Sequence, residues 1–262
     1  MTEAAARKLN VFFRAFSGAP RPLLLVDYDG TMAAFRIDRF SARPWAGVSD
    51  LLKQIQTPTR TRIAVITGRP ANEIAPMLAL ESPVEVWGLH GAERLHPHGR
   101  RELEQAPAAS RTELDALRAR LKRDALGGLY EDKANAAVVH WRGRTPARAL
   151  AIEKKTRAIF EPLATLKGLA LLEFDGGLEL RIGRDKGGAV RAILREEKPG
   201  SPVTYLGDDL TDEAAFQAVN EAKGPHLSVL MRRARRETAA EVWLRPPAEL
   251  RIFLQRWLEA AA

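Results

Sequence analysis

The residues of this chain best suited to chemistry are aspartates that end apolar runs. In LLLVDYDGT, residues 23–31, four apolar residues lead directly into Asp27 and Asp29. A short unbroken apolar run closed by a glycine turn suits a strand buried on both faces at the centre of a parallel sheet, and Gly30 lets the chain turn sharply as it leaves. In open parallel α/β sheets ligands bind beyond the carboxyl ends of the strands, which is where both carboxylates fall. A second acidic group follows another apolar run: Val203, Tyr205 and Leu206 lead into GDDLTDE, with Asp208, Asp209, Asp212 and Glu213. DYDG alone reads more readily as a solvated Asp-Gly turn. Several like charges gathered at one sheet edge repel unless a cation neutralises them. An all-oxygen donor set that leaves room for water and a phosphate is a Mg²⁺ site.

Two further motifs complete a set for handling phosphate. TGRP at 67–70 ends a β-rich run over 61–66, and Thr67 offers a hydroxyl beside backbone N–H groups and Arg69, ahead of a helix over about 71–80. GRDKGG places Lys186 at the start of a helix; taken alone it is a solvated side chain, though the following glycines allow close backbone approach. Phosphate monoesters resist hydrolysis because a nucleophile meets negative charge and the alkoxide leaves poorly. Asp27 can attack phosphorus and form an aspartyl-phosphate. Asp29 can protonate the leaving oxygen and then take a proton from water. Thr67 and Lys186 can bind the phosphoryl oxygens, and Mg²⁺ between Asp27 and Asp208 can offset the charge. No GxxxxGK[ST] occurs, so an ATP-binding P-loop is unsupported.

The elements that must position these residues follow from periodicity. Residues 1–16 read as an amphipathic helix with Leu9, Phe12, Phe13 and Phe16 on its core face. Pro44 to Ile55 reads as a helix with Val48, Leu51, Leu52 and Ile55 inward. Thr61–Ile66 and Val84–Trp87 are further strands, the latter running into GLHGAE, and 93–103 reads as a hairpin around His98 and Gly99. From about Pro107 the pattern changes to a helix reaching Asp124, a strand-like LYEDKANAAVVHWR, a helix over 146–166, and strands LALLEF and LELRI joined by Asp175, Gly176 and Gly177. That break in strand-helix alternation predicts a separate α/β lid. The expected division is 1–104 and 183–262 for an α/β core and 105–182 for the lid. The core resumes with a helix over 186–196, the strand into GDD, a helix around 212–220, a strand at 227–230 and a last helix over 247–258.

Composition bounds the rest. At 262 residues, 45% hydrophobic and 28% charged, the chain has the make-up of an ordinary globular protein with ample core. It has no cysteine, which excludes disulfides, thiol nucleophiles and thiolate metal sites. No apolar run reaches the roughly 20 residues of a membrane span, and the N-terminal pattern is unlike a secretory signal. A cytoplasmic monomer without a membrane partner is expected. The formal charge of +8 is densest at Arg232, Arg233, Arg235 and Arg236, which read as a solvated helix face; with little aromatic interleaving, no nucleic-acid partner is expected.

Taken together, DYDGT, TGR, the Lys186 segment and GDDLTDE, in that order, resemble the four motifs of the haloacid dehalogenase superfamily of phosphatases. GLHGAE at 88–93, YEDKANAAVVHWR at 130–142 and LELRIGRDKGG at 178–188 resemble the trehalose-6-phosphate phosphatases, and the likeness covers roughly residues 20–250. The resemblance implies a doubly wound, Rossmann-like parallel-sheet core with a smaller α/β cap inserted after the third core strand. It implies Mg²⁺-dependent hydrolysis of trehalose 6-phosphate, with Asp27 as nucleophile, Asp29 as acid and base, and Thr67 and Lys186 as phosphate ligands. Asp208 would ligate the metal beside the Asp27 carboxylate and the Asp29 carbonyl, with Asp209 and Asp212 as auxiliary or supporting acids. Glu131, Lys133, Arg142 and Glu179 fall where the family binds the sugar. Arg69, His90 and Glu93 belong to the core side of the cleft, although His90 also reads as a buried, hydrogen-bonded histidine.

Three other readings stay open at this point. A phosphoacceptor signalling module also clusters aspartates and Mg²⁺ on a parallel sheet, but such modules are about half this length, carry no lid and place the phosphoacceptor mid-chain. Phosphatases for sucrose phosphate or mannosylglycerate phosphate would share the core motifs, leaving only the lid to discriminate.

Overall fold

The apolar run at 23–26 forms strand β1 (Leu23–Val26), every residue of it buried. Leu24 and Val26 join one core cluster and Leu23 and Leu25 another, so the strand is covered on both faces and needs its unbroken apolar composition. The structure, a computed structural model, describes residues 2–16, 21–36, 38–56, 60–80, 82–123, 129–133, 135–174 and 176–261.

Helix α1 (Glu3–Arg14) precedes β1, and α2 (Val48–Gln56), β2 (Arg62–Ile66), α3 (Ala71–Met77), β3 (Glu85–Gly88), β4 (Glu93–Leu95) and β5 (Arg101–Leu103) follow it. Next come α4 (Ala108–Arg123), β6 (Tyr130–Lys133), β7 (Ala136–His140), α5 (Pro146–Ala164), β8 (Leu169–Phe174) and β9 (Gly177–Ile182). The chain ends with α6 (Lys186–Glu196), β10 (Val203–Gly207), α7 (Glu213–Asn220), β11 (His226–Met231), β12 (Val242–Leu244) and α8 (Ala248–Ala261). The chain divides into two compact units, 1–102 with 186–208 and 212–262, and 103–185 with 209–211.

The first unit is built on an eight-stranded sheet of order β12-β11-β10-β1-β2-β3-β4-β5. Its strands from β12 to β3 are parallel, and β4 runs antiparallel to β3. Leu9 and Phe12 of α1, Leu52 of α2, Ile74 of α3 and Phe253 of α8 pack with one face. Val190 and Ile193 of α6 and Phe216 of α7 pack with the other. This is a doubly wound α/β layer structure, and the strand-helix alternation read from the sequence is its cause. The aromatic stripe of α1 is core, as expected: Phe12, Phe13 and Phe16 gather around Trp257, with the Phe16 and Trp257 rings edge to face at 4.7 Å.

The second unit has a four-stranded antiparallel sheet of order β6-β7-β9-β8. Ala137, Val139, Leu178 and Leu180 meet Leu114 and Leu117 of α4 and Ile152 and Phe160 of α5. Residues directly opposite in a sheet share a face. One row runs Glu131, Val138, Glu179, Leu172 and the next Lys133, Ala136, Arg181, Ala170. Both rows therefore stand on the face turned away from α4 and α5.

Several expectations need correction. LYEDKANAAVVHWR is two strands rather than one, because a polar edge strand, β6, turns back into the buried β7. Helix α2 begins at Val48 instead of Pro44: Gly47 adopts φ +82, which no right-handed helix includes. The predicted helix from Asp212 begins with a short 3₁₀ turn at Leu210–Asp212. Arg232, Arg233, Arg235 and Arg236 do not line a helix face. They lie on the irregular connection from β11 to β12, which Glu213 ties down by accepting bonds from Arg236, from the Thr238 hydroxyl at 2.8 Å and from the Ala239 N–H at 2.7 Å. Strand β12 is too short to register in the periodicity. Met1, the expected helix end at Asp124, Ala134 within the strand-like segment, and the turn residue Asp175 lie outside the described residues. No described helix is long and apolar enough to cross a membrane.

Candidate active site

Parallel pairing of β1 with β10 and β2 carries the ends of three strands to one edge, so the segments after Val26, Leu206 and Val65 emerge side by side. Asp27 stays tied to the ladder through its N–H to the Leu206 carbonyl at 2.8 Å. Lys186 is the first residue of α6 and is only 3% exposed. Gly187 permits this, since a β-carbon there would stand 2.4 Å from the Ala214 carbonyl oxygen at the start of α7. The Lys186 ammonium donates to Asp27 Oδ1 and to Asp212 Oδ1, both at 2.7 Å. Asp212 also accepts from the Tyr205 hydroxyl at 2.6 Å and, on Oδ2, from the Asp208 N–H at 2.8 Å. It thus orients the lysine and shapes the loop that carries Asp208.

The electrostatics of this cluster are severe. Burial pushes the Asp27 carboxyl up to about 8 against the pull of Lys186, and Asp212 and Asp29 add to the rise. Burial works against the Lys186 charge, but Asp212 and Asp27 outweigh it and hold the ammonium above its ordinary range. Burial, then Asp212, raises the Tyr205 phenol well above its usual value. One lysine faces three buried carboxylates, Asp27, Asp208 and Asp212, each offering an oxygen within 4.8 Å of the others. Gly30, at φ +81, makes room for this: a β-carbon there would overlap the Asp208 carboxylate at 2.1 Å. The surplus negative charge and the all-oxygen donors fit a hard divalent cation such as Mg²⁺. The five acids expected at the metal are thus not equivalent. Asp27, Asp208 and Asp212 converge, whereas the carboxylates of Asp29 and Asp209 are not part of that set.

Asp29 is engaged by Arg69, whose Nε donates to Oδ2 at 2.6 Å and whose Nη2 reaches Oδ1. The same guanidinium lies 5.6 Å from the centroid of the buried Tyr28 ring. Arg69, expected to meet substrate, is here a clamp on the second aspartate. Thr67 is buried; its Oγ1 accepts the Arg69 N–H at 3.2 Å, and its carbonyl accepts the His90 N–H at 2.7 Å. His90 is half-buried with φ 56, beside Leu89 at φ 49, and its ring lies where a β-carbon on Gly68 would stand 2.6 Å from Nε2. Two adjacent left-handed non-glycine residues mark a strained turn, which the pressed histidine and the TGR loop hold in place. Glu93 is buried and both its oxygens are occupied, one by the Ala71 N–H at the start of α3, at 2.8 Å, and one by Arg101. Its observed work is to cap a helix.

In the second unit the register gathers three of the four expected sugar-binding residues on the helix-free face. Lys133 Nζ donates to Glu179 Oε2 at 2.8 Å, and exposed Glu131 pairs with His140 Nε2 at 2.8 Å. Arg142 is exposed on the turn beyond β7 and bonds through its N–H to the Gly176 carbonyl at 3.2 Å. Two residues escaped the reading of the sequence. Tyr205 reads there as one more apolar strand residue, yet a hydroxyl in a doubly covered strand must find a partner, and that was the available signal. Arg181 lies two residues after Glu179 on β9, hence on the same face, and is 1% exposed.

A family model described as trehalose-phosphatase matches residues 25–245. A trehalose-phosphate phosphatase of Mycobacterium marinum is 32% identical over 254 residues, covering 90% of this chain and 61% of that protein. The chain thus spans about three fifths of the length of the curated relatives it matches first. Among solved structures, the C-terminal domain of Candida albicans trehalose-6-phosphate phosphatase superposes with a TM-score of 0.76 at 20% identity, covering 97% of this chain and 96% of that one. A haloacid dehalogenase-like hydrolase from B. subtilis gives a TM-score of 0.61 at 15% identity, covering 90% and 98%. At such identities the likeness is one of fold, and it is the haloacid dehalogenase fold.

Proposed function

We propose that this chain, which belongs to the trehalose-phosphatase family, hydrolyses trehalose 6-phosphate to trehalose and phosphate through an aspartyl-phosphate on Asp27. The observation that carries the reading is Lys186, buried and bonded at 2.7 Å to both Asp27 and Asp212, which fixes one oxygen of the nucleophile and leaves a cation beside the phosphoryl group it would attack. Asp27, Asp208 and Asp212 would hold Mg²⁺, with the Asp29 carbonyl and Asp209 as further candidates, and the ion would offset the remaining charge of nucleophile and phosphate.

In the first step Asp27 forms the new oxygen–phosphorus bond, the bond to the sugar oxygen breaks, and Asp29 delivers a proton to that oxygen. Both Asp29 oxygens accept from Arg69, so Asp29 has to turn away from Arg69 to reach the sugar oxygen. In the second step water attacks phosphorus, Asp29 takes its proton, and the aspartyl–phosphorus bond breaks to release phosphate. Thr67 donates to the phosphoryl oxygens, and Arg69, His90 and Glu93 shape the loops around them. Glu131, Lys133, Arg142 and Glu179 supply the charged hydrogen bonds that a hydroxyl-rich disaccharide accepts and donates. The reading carries with it a monomer at work in the cytoplasm on a small anionic substrate, with neither nucleic acid nor membrane as partner.

The test is phosphate release in Mg²⁺ across trehalose 6-phosphate, sucrose phosphate, mannosylglycerate phosphate and p-nitrophenyl phosphate, in wild type and Glu131→Ala. Trehalose 6-phosphate should be preferred, and the variant should lose about 10- to 150-fold in kcat/KM on it, the worth of one hydrogen bond to a charged group, with a far smaller loss on the aryl ester. Preference for another sugar phosphate sinks the substrate assignment; equal losses on both substrates return Glu131 to the fold.

A further inference from the structure

We infer that Arg181 is a positioning residue for sugar recognition, acting through Glu179. The inference rests on the reading of Glu179 as a sugar-binding residue. Arg181 is 1% exposed on β9, and among the described residues none of its three guanidinium nitrogens has a hydrogen-bond partner. Its cross-strand neighbours are Ala136 and Ala170, which bring no polar side-chain group. Its ion-pair partner is Glu179 Oε1, at 3.5 Å. Burial works against the guanidinium charge, and Glu179, Asp185 and Glu104 counter it without saturating its N–H groups.

A desolvated guanidinium with unfilled donors does not serve stability; an apolar side chain of similar length serves as well or better. What Met in its place could not supply is a fixed positive charge on one side of Glu179. Glu179 is itself 4% exposed, and its other oxygen accepts from Lys133 at 2.8 Å. Two cations from one row of the sheet therefore face one carboxylate in the next row, one on each oxygen. Lys133 makes the directional bond, and Arg181 sets the field that keeps the second oxygen from rotating away. A carboxylate so held presents its remaining lone pairs in one orientation, which is what discrimination among hydroxyl arrangements needs.

The test uses the full chain and four variants: Arg181→Met, Arg181→Lys, Glu179→Gln and the double variant Glu179→Gln/Arg181→Met. KM and kcat are measured with trehalose 6-phosphate and p-nitrophenyl phosphate, and each variant is unfolded in urea. Arg181→Met should raise KM for the sugar substrate by about tenfold, well beyond its effect on the aryl ester, and should keep its urea midpoint. Arg181→Lys, which restores a charge and guards against a Met variant that fails to fold, should recover part of the loss. Because Arg181 acts through Glu179, the double variant should be no worse than Glu179→Gln alone. Additive losses would mean that Arg181 meets the sugar itself, parallel losses on both substrates that it serves the fold, and an unchanged KM that it does neither; each overturns the inference. If wild type prefers a different sugar phosphate, the substrate assignment fails and the same variants are judged on that ester. If wild type acts on the aryl ester alone, both fail.

Discussion

Asp27 and Asp212 carry the same side chain a few ångströms apart and do different work. Asp212 accepts from Lys186, Tyr205 and the Asp208 N–H, so its oxygens are committed to holding other groups in place. Asp27 gives one oxygen to Lys186 and is the carboxylate on which burial acts first, raising it to about 8. Removing its charge should relieve that burial while removing the proposed nucleophile. Asp27→Asn keeps the shape and an acceptor for Lys186. It is expected to fold with an unchanged or higher thermal midpoint and to lose about 10³-fold or more in phosphate release. Retention of even a tenth of the activity would exclude attack by Asp27.

At the scale of elements, the amino ends of β2 and β3 carry a second charged cluster with a different purpose. Arg62, the first residue of β2, is buried and bonds Glu85 of β3 at 2.6 Å, Glu197 at 2.7 Å and Glu196, at the end of α6, at 2.8 Å. Arg94 adds a second guanidinium, 2.7 Å from Glu85 and 2.6 Å from Glu196. These ion pairs fasten α6 to the sheet at the edge opposite to the one where Lys186 begins that helix. Breaking a buried pair leaves an uncompensated charge and typically costs about 3–5 kcal/mol. Arg62→Leu should therefore lower the free energy of urea unfolding by about that amount, with turnover per folded molecule intact. A change below about 1 kcal/mol would place these pairs with ordinary surface ion pairs.

For the molecule as a whole, an excess of eight positive charges coexists with a buried site of opposite sign. Three carboxylates against one ammonium should make the folded state itself responsive to a divalent cation. Mg²⁺ at 100 times its dissociation constant should stabilise the protein by about 2.7 kcal/mol through mass action alone. EDTA should abolish turnover and Mg²⁺ restore it, and Mg²⁺ should raise the thermal midpoint of wild type but not of Asp208→Asn. Full activity in chelator, or an equal rise in both proteins, would remove the metal from this cluster.

What the sequence determined by itself was local or periodic. Leu23–Val26 had to be a doubly covered strand because no polar residue interrupts it, and Asp27, Asp29, Thr67, Lys186 and Asp208 stood out as candidates only as an ordered set, since DYDG alone reads as a turn and Lys186 alone as a solvated side chain. The doubly wound core followed from the same alternation. Only the tertiary structure decided which side chains meet. Arg69 closes on Asp29, Glu93 caps α3, and Glu213 binds the irregular segment that carries the arginines at 232–236. Tyr205 and Arg181 owe their significance to burial: Tyr205 meets Asp212 where the chain turns after β10, and Arg181 is enclosed beside Glu179 of its own strand with only Ala136 and Ala170 across from it. A chain read in one dimension carries the parity of each strand but not the identity of the residue opposite, and hydrogen bonds of 2.6–2.8 Å depend on that identity.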